Sequence, residues 1–265
     1  MRLYLLPSSF SGQTTIALSG KEAQYLTRVL RLKPGQRFAG RDVSGRLWNL
    51  SLLTVERDSC VLACEPAQDT GPVETTDSLP DYQGPLPSLC LFQCLCKGKK
   101  LEQIVRQATE LGAMEIVPVQ SRFCVVDMAN KKQDSIDGRI QRLDAMVKEA
   151  VQQSGSRIPT SVTQPIPFSE IPSYWGSRGL GLFFHQSEVG GQEDLTSIVR
   201  RYRLEQGPKA SVAVVIGPEG GLSTEEVTLL EQAGFHAVLL KTNILRAETA
   251  AIYALASVQT LMTED

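Results

Sequence analysis

The chain has 265 residues, of which 42% are hydrophobic and 21% charged, as is typical of globular rather than disordered proteins. Its net charge of −2 provides no overall attraction to a polyanion. It has no run of apolar residues long enough for a membrane helix and no signal-peptide pattern, so we expect a cytoplasmic protein. Residues 1–70 nevertheless carry nine Lys and Arg against six Asp and Glu, which permits contact with a nucleic acid.

The first 70 residues predict a small β-barrel with one helix. Strand-like segments separated by turn signals lie at 2–6, 36–40, 46–55 and 60–66. A helix is predicted over 19–33, because Ser19 and Glu22 have capping-box spacing and an apolar stripe follows. That stripe consists of Leu26, Val29 and Leu30.

A proline-rich segment at 71–88 lacks apolar periodicity and predicts a linker, so we place a second domain at 89–265. Strands and helices alternate there, which is typical of an α/β domain with a largely parallel sheet. The predicted strands are 89–96, 115–119, 180–184, 210–216 and 236–240. The predicted helices are 99–113, 135–154, 223–234 and 247–262.

The six cysteines include no C-x-x-C pair, so their spacing predicts neither a zinc site nor a thioredoxin motif, and we expect no metal. Cys90, Cys94 and Cys96 share one face of the strand predicted at 89–96. We expect reduced thiols in an apolar core.

The segment GPEGG, residues 217–221, follows a predicted strand, and ligands of parallel sheets bind where strands end. Its glycines allow positive φ and close approach of a ligand to the backbone. Ser223 and Glu226 have capping-box spacing and predict a helix start. The segment is not a phosphate loop, and Glu219 would repel phosphate. It suits a ligand that is held by the main chain and is neutral or cationic near Glu219; the alternative is a tight connection only.

The segment NILRAETA, residues 243–250, follows the last predicted strand. Ile244 and Leu245 are apolar residues in a connecting loop, which suits a flat aromatic ligand such as adenine. Arg246 and Glu248 lie at the start of the next helix. The alternative is that Arg246 is a surface charge and that Glu248 offsets the helix dipole.

IGPEGGLSTEEV together with ILRAETA is similar to the signature pair of the SPOUT-type, trefoil-knotted RNA methyltransferases. More narrowly, the chain resembles the bacterial family that methylates N3 of a uridine in 16S ribosomal RNA. TRVLRLKPGQ, KGKKLEQIVRQATELGAMEIVPVQSRFCVV and KEAVQQSGSRIPT match further motifs in the same order. The chain departs from the family at Lys241, where glycine is usual, at Asn243, where arginine is usual, and at Gln24 and Tyr25, where histidines are frequent.

The resemblance implies a PUA-like, RNA-binding barrel at 1–70 and a SPOUT α/β domain at 89–265 with a C-terminal trefoil knot. It implies S-adenosylmethionine as cofactor, 16S rRNA or the small ribosomal subunit as substrate, and a homodimer. The cofactor contacts that it implies are Gly217, Glu219, Gly220, Leu240, Ile244 and Leu245.

Methylation at N3 requires removal of the N3 proton or stabilisation of the resulting anion. Our hypothesis makes Glu248 the base and gives Arg246 the role of stabilising the uracilate at O2 or O4, with Glu219 as the competing base. N3 lies on the Watson–Crick edge, so the target base must be unpaired or flipped out.

Basic residues of the first domain are candidates for RNA contact, although a solvated charged face is the alternative. They are Arg28, Arg31, Lys33, Arg37, Arg41 and Arg46. Arg157, with Gln153 and Ser154, is a further candidate. Two other functions stay open: 2′-O-methylation of ribose by the same fold, and a non-catalytic RNA-binding assembly factor, which the Lys241 departure favours.

Overall fold

The computed structural model describes residues 3–67, 86–125, 133–156, 158–185, 193–239 and 242–264. The chain divides into two compact units. The first consists of Met1–Tyr82 with Val151–Arg157, and the second of Gln83–Ala150 with Ile158–Asp265. Of the linker predicted at 71–88, residues 71–85 lie outside the described ranges, and Ser88 already belongs to a strand. None of the helices in the described ranges combines the length and the hydropathy needed to cross a membrane.

The first unit contains a five-stranded sheet. Its strands are β1 (Tyr4–Leu5), β2 (Thr15–Ser19), β3 (Arg37–Arg41), β4 (Leu47–Val55) and β5 (Ser59–Pro66). The order is β1-β3-β4-β5-β2, with β1 parallel to β3 and the other neighbours antiparallel. Trp48, Leu50 and Leu52 are buried at alternate positions of β4, so one face of the sheet covers the core. The sequence prediction omitted β2, whose inward residues are only Ile16 and Leu18.

The helix predicted over 19–33 is shorter than expected and irregular. An α-helix, α1, spans Gly20–Gln24, and a π-helical turn follows at Tyr25–Val29. A π turn departs from the 3.6-residue period on which the predicted apolar stripe depends. Leu26 is buried as expected, but Val29 is 66% exposed, so its assignment to the stripe is wrong.

The two predicted capping boxes have different outcomes. Ser223 and Glu226 form a complete box, with Glu226 N–H donating to Ser223 Oγ at 3.3 Å and Ser223 N–H donating to Glu226 Oε2 at 2.8 Å. Ser19 precedes α1, but its side chain makes no capping hydrogen bond, so the box predicted with Glu22 is wrong. Spacing alone therefore did not distinguish the real box from the false one.

The second unit contains a parallel sheet covered on both faces. Its strands are β6 (Ser88–Cys94), β7 (Ala113–Gln120), β8 (Ser161–Val162), β9 (Ile166–Pro167), β10 (Leu180–Phe184), β11 (Ser211–Ile216) and β12 (His236–Val238). The order is β12-β10-β11-β6-β7-β8, and β9 also pairs with β7. All of these pairings are parallel, and every residue of β10 is buried, as expected for a sheet between helical layers. The prediction of an α/β domain with a parallel sheet is confirmed.

Helices connect these strands. They are α2 (Lys100–Glu110), α3 (Gln133–Ser154), α4 (Ile171–Trp175), α5 (Leu195–Gln206), α6 (Thr224–Gln232) and α7 (Ala247–Thr263). The sequence predicted α2, α3, α6 and α7 but omitted α4 and α5. A signal for α5 was present, because the carboxylate of Asp194 accepts a hydrogen bond from Thr196 N–H at 3.1 Å and caps the helix.

The cysteines near β6 are buried free thiols, as predicted. Cys90 and Cys94 lie in one apolar core cluster with Phe92, and Cys96 follows the end of the strand. Burial raises the pKa of all three thiols, which keeps them protonated at neutral pH.

Candidate active site

Two loops of interest emerge side by side at one edge of the parallel sheet. β11 and β6 are neighbours in its middle, and Ile216 pairs with Gln93 near their carboxyl ends. The turn 217–221 and the connection from β6 to α2 therefore begin next to each other. β7 flanks β6 on its other side, so residues 121–125 start from the same edge. This is the edge at which open parallel sheets bind ligands.

The glycines of the turn 217–221 serve different purposes. Gly221 has a φ of 74°, and its N–H donates to Pro218 O at 2.9 Å. Gly217 and Gly220 do not have positive φ, so the expected role in backbone conformation is wrong for them. They supply space instead: a Cβ on Gly217 would lie 3.1 Å from the carbonyl carbon of Gly221, and one on Gly220 would lie 2.9 Å from Cβ of Phe123.

Glu219 and Glu248 converge on one lysine. Lys100, the first residue of α2, places Nζ 2.9 Å from Oε1 of Glu219 and 3.4 Å from Oε2 of Glu248. The N–H of Lys97 also donates to Oε1 of Glu219, at 3.3 Å. Two negative charges and one positive charge thus form one cluster. Its members come from the turn after β11, the connection after β6 and the first turn of α7.

The two carboxylates of this cluster are not held alike. Glu219 accepts hydrogen bonds from Lys100 and from backbone amides. Glu248 has a side chain only 14% exposed, and its Oε2 receives no hydrogen bond from any described residue, because its approach to Lys100 is an ion pair without hydrogen-bond geometry. Oε1 of Gln93, at the end of β6, is likewise buried without a donor among the described residues. Such unsatisfied acceptors are costly unless a ligand or water supplies a donor.

The charges of Lys100 and Glu219 persist across the neutral range. The hydrogen bond to Glu219 and the charges of both carboxylates raise the pKa of Lys100. Burial by itself would raise the pKa of Glu219, but the hydrogen bonds from Lys100 and from backbone amides lower it below its ordinary value. Cys96 adjoins the cluster, with Sγ 3.6 Å from Nε2 of Gln93, and burial with the charge of Glu219 raises its pKa to about 12. Cys96 is therefore a neutral thiol rather than a nucleophile.

The segment before α7 supplies exposed groups. Ile244 is 84% exposed and Leu245 is half-buried. Arg246 precedes α7, and its exposed guanidinium makes no hydrogen bond or ion pair with a described residue. Leu240 and Lys241 lie outside the described residues.

Lys100 is the residue that the sequence did not single out. It is one of three lysines in the segment KGKK, and nothing in its spacing distinguishes it from Lys97 or Lys99. Lys100 is distinguished only by its position at the carboxyl edge beside β11. The sequence does not show this position, because it depends on which strands are neighbours in the sheet.

The predicted RNA contacts of the first unit are only partly suited to that role. Arg28, Arg31 and Lys33 are exposed, and Arg28 pairs with Asp58 at 3.4 Å. Arg41 is 4% exposed, so its assignment to the solvated basic cluster is wrong. The backbone of Arg31 has a φ of 55°, a left-handed conformation that is uncommon for residues other than glycine. Arg157 lies outside the described residues.

A separate cavity of ≈ 490 Å³ lies between α5 and α7. Its lining residues are Asp194, Leu195, Thr196, Leu239, Tyr253, Ala256, Ser257, Thr260 and Leu261. The cluster of Lys100, Glu219 and Glu248 does not contribute to it. This cavity is therefore distinct from the cluster that carries the candidate chemistry.

Two curated relatives of this chain carry the same name. Ribosomal RNA small subunit methyltransferase E of Synechocystis is 28% identical over 98% of this chain and 78% of its own length. The protein of the same name from Bacillus subtilis is 27% identical over 92% of this chain and 89% of its own length.

Solved structures show the same architecture. Ribosomal RNA small subunit methyltransferase E of Neisseria gonorrhoeae, solved bound to S-adenosyl methionine, matches with a TM-score of 0.79 at 25% identity over 98% of each chain. A Legionella pneumophila protein solved with the cofactor SAM has a TM-score of 0.78 at 22% identity over 97% of this chain and 96% of its own, and shares the fold. The family model described as RNA methyltransferase domain matches residues 83–259, which confirms the resemblance seen in the sequence. With more than half of its length matched in this way, the chain belongs to the RNA methyltransferase family.

Proposed function

We propose that this chain transfers the methyl group of S-adenosylmethionine to 16S ribosomal RNA and that the acceptor is N3 of a uridine. Methylation of ribosomal RNA is the function that its relatives' names state. The observation that carries the finer proposal is the position of Glu248 in the cluster at the carboxyl edge of the sheet, where one buried oxygen of its carboxylate accepts no hydrogen bond from a described residue.

The residues of the edge fit the cofactor. Glu219, Glu248 and Lys100 together carry one net negative charge, which suits a cationic ligand. Gly217 and Gly220 leave no room for a Cβ, so the turn presents backbone rather than side chains. We assign the cofactor to this turn and to Ile244 and Leu245, with Leu240 as the further candidate that lies outside the described residues. When bound, S-adenosylmethionine supplies an activated methyl group.

Glu248 is the better candidate for the base. Its Oε2 lies 3.4 Å from Nζ of Lys100 but accepts no hydrogen bond from a described residue, so we assign it the N3 proton of uracil, after which the electron pair of the N–H bond stays on N3 and makes it a nucleophile. Glu219 is less suited, because hydrogen bonds from Lys100 and from the amide of Lys97 already occupy its carboxylate. The guanidinium of Arg246, which pairs with none of the described residues, has donors with which to stabilise negative charge at O2 or O4 of the ring.

Lys100 positions the base. Its ammonium lies between the two carboxylates and balances one of their charges, so they remain close without strong repulsion. Because Lys100 begins a helix that is packed through Leu101 and Ile104, its location is set by the core rather than by the ligand. A carboxylate oriented in this way needs no reorganisation when the substrate arrives.

The proposed reaction is tested by mapping the product. Small-subunit RNA from a strain that lacks the gene is incubated with the protein and S-adenosylmethionine, digested to nucleosides and analysed by mass spectrometry with fragmentation. The expected product is a uridine nucleoside with one added methyl group on the base, at N3. A methyl group on ribose would establish 2′-O-methylation instead, and tight RNA binding without any product would establish a non-catalytic assembly factor.

Arg28 and Arg31 are proposed RNA contacts of the first unit. Reversing both charges with Arg28→Glu and Arg31→Glu should weaken RNA binding. The slope of log K against the logarithm of the salt concentration should become less steep by about 1 to 2, because each phosphate contact to a single strand contributes about 0.7. Binding is measured by fluorescence anisotropy between low and moderate salt. The matched control, Arg200→Glu with Arg201→Glu on α5, should leave the slope unchanged. An unaltered slope in the first variant would remove these arginines from the interface.

The proposal also includes three features that the resemblance implies: the barrel, the knot and the dimer. The family resemblance supports a PUA-like barrel in residues 1–70 that binds RNA, a trefoil knot near the C-terminus of the domain at 89–265, and a homodimer. The mass measured by light scattering tests the dimer, and a monomeric mass at micromolar concentration would contradict it.

A further inference from the structure

A half-exposed phenylalanine stands beside the turn 217–221. Phe123 follows β7 and is 44% exposed, although large apolar side chains are usually covered. Its Cβ comes so close to Gly220 that a side chain at that position would collide with it. Val125, two residues further on, is 65% exposed as well. These apolar side chains beside the candidate site are accessible to a ligand.

The segment that carries Phe123 is firmly held. Arg122 N–H donates to Oε1 of Glu226 at 2.8 Å, and Glu226 is buried in the capping box of α6. Ser121 is buried, and Cys124 N–H donates to Ser121 O at 3.2 Å. The exposed ring is therefore mounted on a fixed backbone, so little conformational entropy is lost when another group contacts it.

The neighbourhood of the ring is cationic but partly neutralised. The guanidinium carbon of Arg122 lies 5.9 Å from the centroid of the Phe123 ring, within the range of a cation–π contact. Arg122 also pairs with Glu225 at 2.9 Å, so it does not offer a free charge for phosphate. The ring itself is then the group of this surface that is left for contact with a partner.

We propose that Phe123 is a stacking platform for an unpaired nucleobase of the RNA, next to the base that is methylated. Aromatic side chains on rigid supports bind single-stranded RNA by stacking on its bases, and this does not depend on sequence. An unpaired target implies unpaired or splayed neighbours, which provide the flat partner. Phe123 follows β7, whereas the cofactor is assigned to the segments after β11 and β12, and the proposal therefore gives the exposed ring to the RNA and the backbone of the adjoining turn to the cofactor.

The inference rests on the proposed function, and substitutions at one position test it. Phe123→Ala should raise the KM for small-subunit RNA by about 5- to 100-fold, the range expected for one lost stacking contact, and should leave the Kd for S-adenosylmethionine within about twofold. Phe123→Trp should retain the wild-type KM, because a larger ring also stacks. Phe123→Leu, which remains apolar without a ring, should behave like the alanine variant. The matched control is Leu204→Ala on α5, an exposed apolar residue with 84% exposure.

Three results would overturn the inference. Equal KM values for the leucine variant and the wild type would show that the side chain acts as an apolar group and does not stack as a ring. A weakened Kd for S-adenosylmethionine in Phe123→Ala, with an unchanged KM for RNA, would assign the ring to the cofactor. An unchanged KM for RNA in Phe123→Ala with normal cofactor binding would show that the ring contacts neither. If the wild-type protein binds RNA without methylating it, the proposed function fails, and the Kd for RNA of the same variants still decides whether Phe123 stacks.

Discussion

Replacing Glu248 by glutamine is expected to lower kcat for RNA methylation by about 10²- to 10⁴-fold, the usual contribution of general base catalysis. The amide has nearly the shape of the carboxylate but cannot accept the N3 proton. Residual activity should rise with pH, because hydroxide then removes the proton that Glu248 would take. Single-turnover methylation measured across pH checks both parts of this expectation.

Binding separates a chemical role of Glu248 from a structural one. The Kd for S-adenosylmethionine, measured by calorimetry, should change by less than about tenfold in Glu248→Gln, because only one of the two carboxylates near Lys100 is lost. Glu231→Gln on α6, an exposed carboxylate, is the matched control and should be fully active. Full turnover of Glu248→Gln with normal cofactor binding would end its assignment as the base.

Replacing Lys100 by glutamine is expected to lower kcat by about 10- to 100-fold, since a small displacement of a catalytic group has an effect of this size. The change removes the cation between Glu219 and Glu248, so the two carboxylates should repel each other. The lower limb of the pH–rate profile should then move to higher pH, because loss of a positive charge near the base favours its protonated form. Lys100→Arg should restore part of the activity and return the limb toward its wild-type position.

Lys99→Gln removes the same charge one residue away and is the control for Lys100→Gln. It should retain wild-type kcat and the wild-type pH profile. If Lys99→Gln and Lys100→Gln lower kcat equally, or if the profile of Lys100→Gln does not move, the positioning role is wrong and the lysines act only through general attraction of RNA.

The ion pair of Lys100 with Glu219 predicts that the free energy of unfolding depends on pH. Folding lowers the pKa of Glu219. Its contribution to the free energy of unfolding is therefore complete above its ordinary pKa of 4.5, and it is lost as the pH falls through the lower pKa of the folded protein. Lys100 has a raised pKa, so its contribution is complete below the ordinary value of 10.5 and is lost only above it. Any difference in Tm between the wild type and Lys100→Gln should therefore be constant at neutral pH and shrink below about pH 4.5.

Local patterns predicted much of the second unit correctly. The alternation of apolar strands with amphipathic helices indicated the parallel sheet, because the periods of two and 3.6 residues are properties of short segments. The turn 217–221 and the capping box of Ser223 with Glu226 were visible for the same reason. Local patterns failed at the π turn near Val29, where the helical period changes, at β2, which has only two inward residues, and at α5, whose capping residue Asp194 was not recognised as a helix start.

The sequence by itself thus determined the type of fold, the family and the loops that carry Glu219, Arg246 and Glu248. Only the tertiary structure decided how these groups meet. Lys100 and Glu219 are 119 residues apart in the chain, and they touch because β6 and β11 are neighbours in the sheet. Strand order depends on how helices and strands pack over the whole unit, which no local period encodes. For this reason Lys100 and Phe123 became candidates only when the sheet edge was in view.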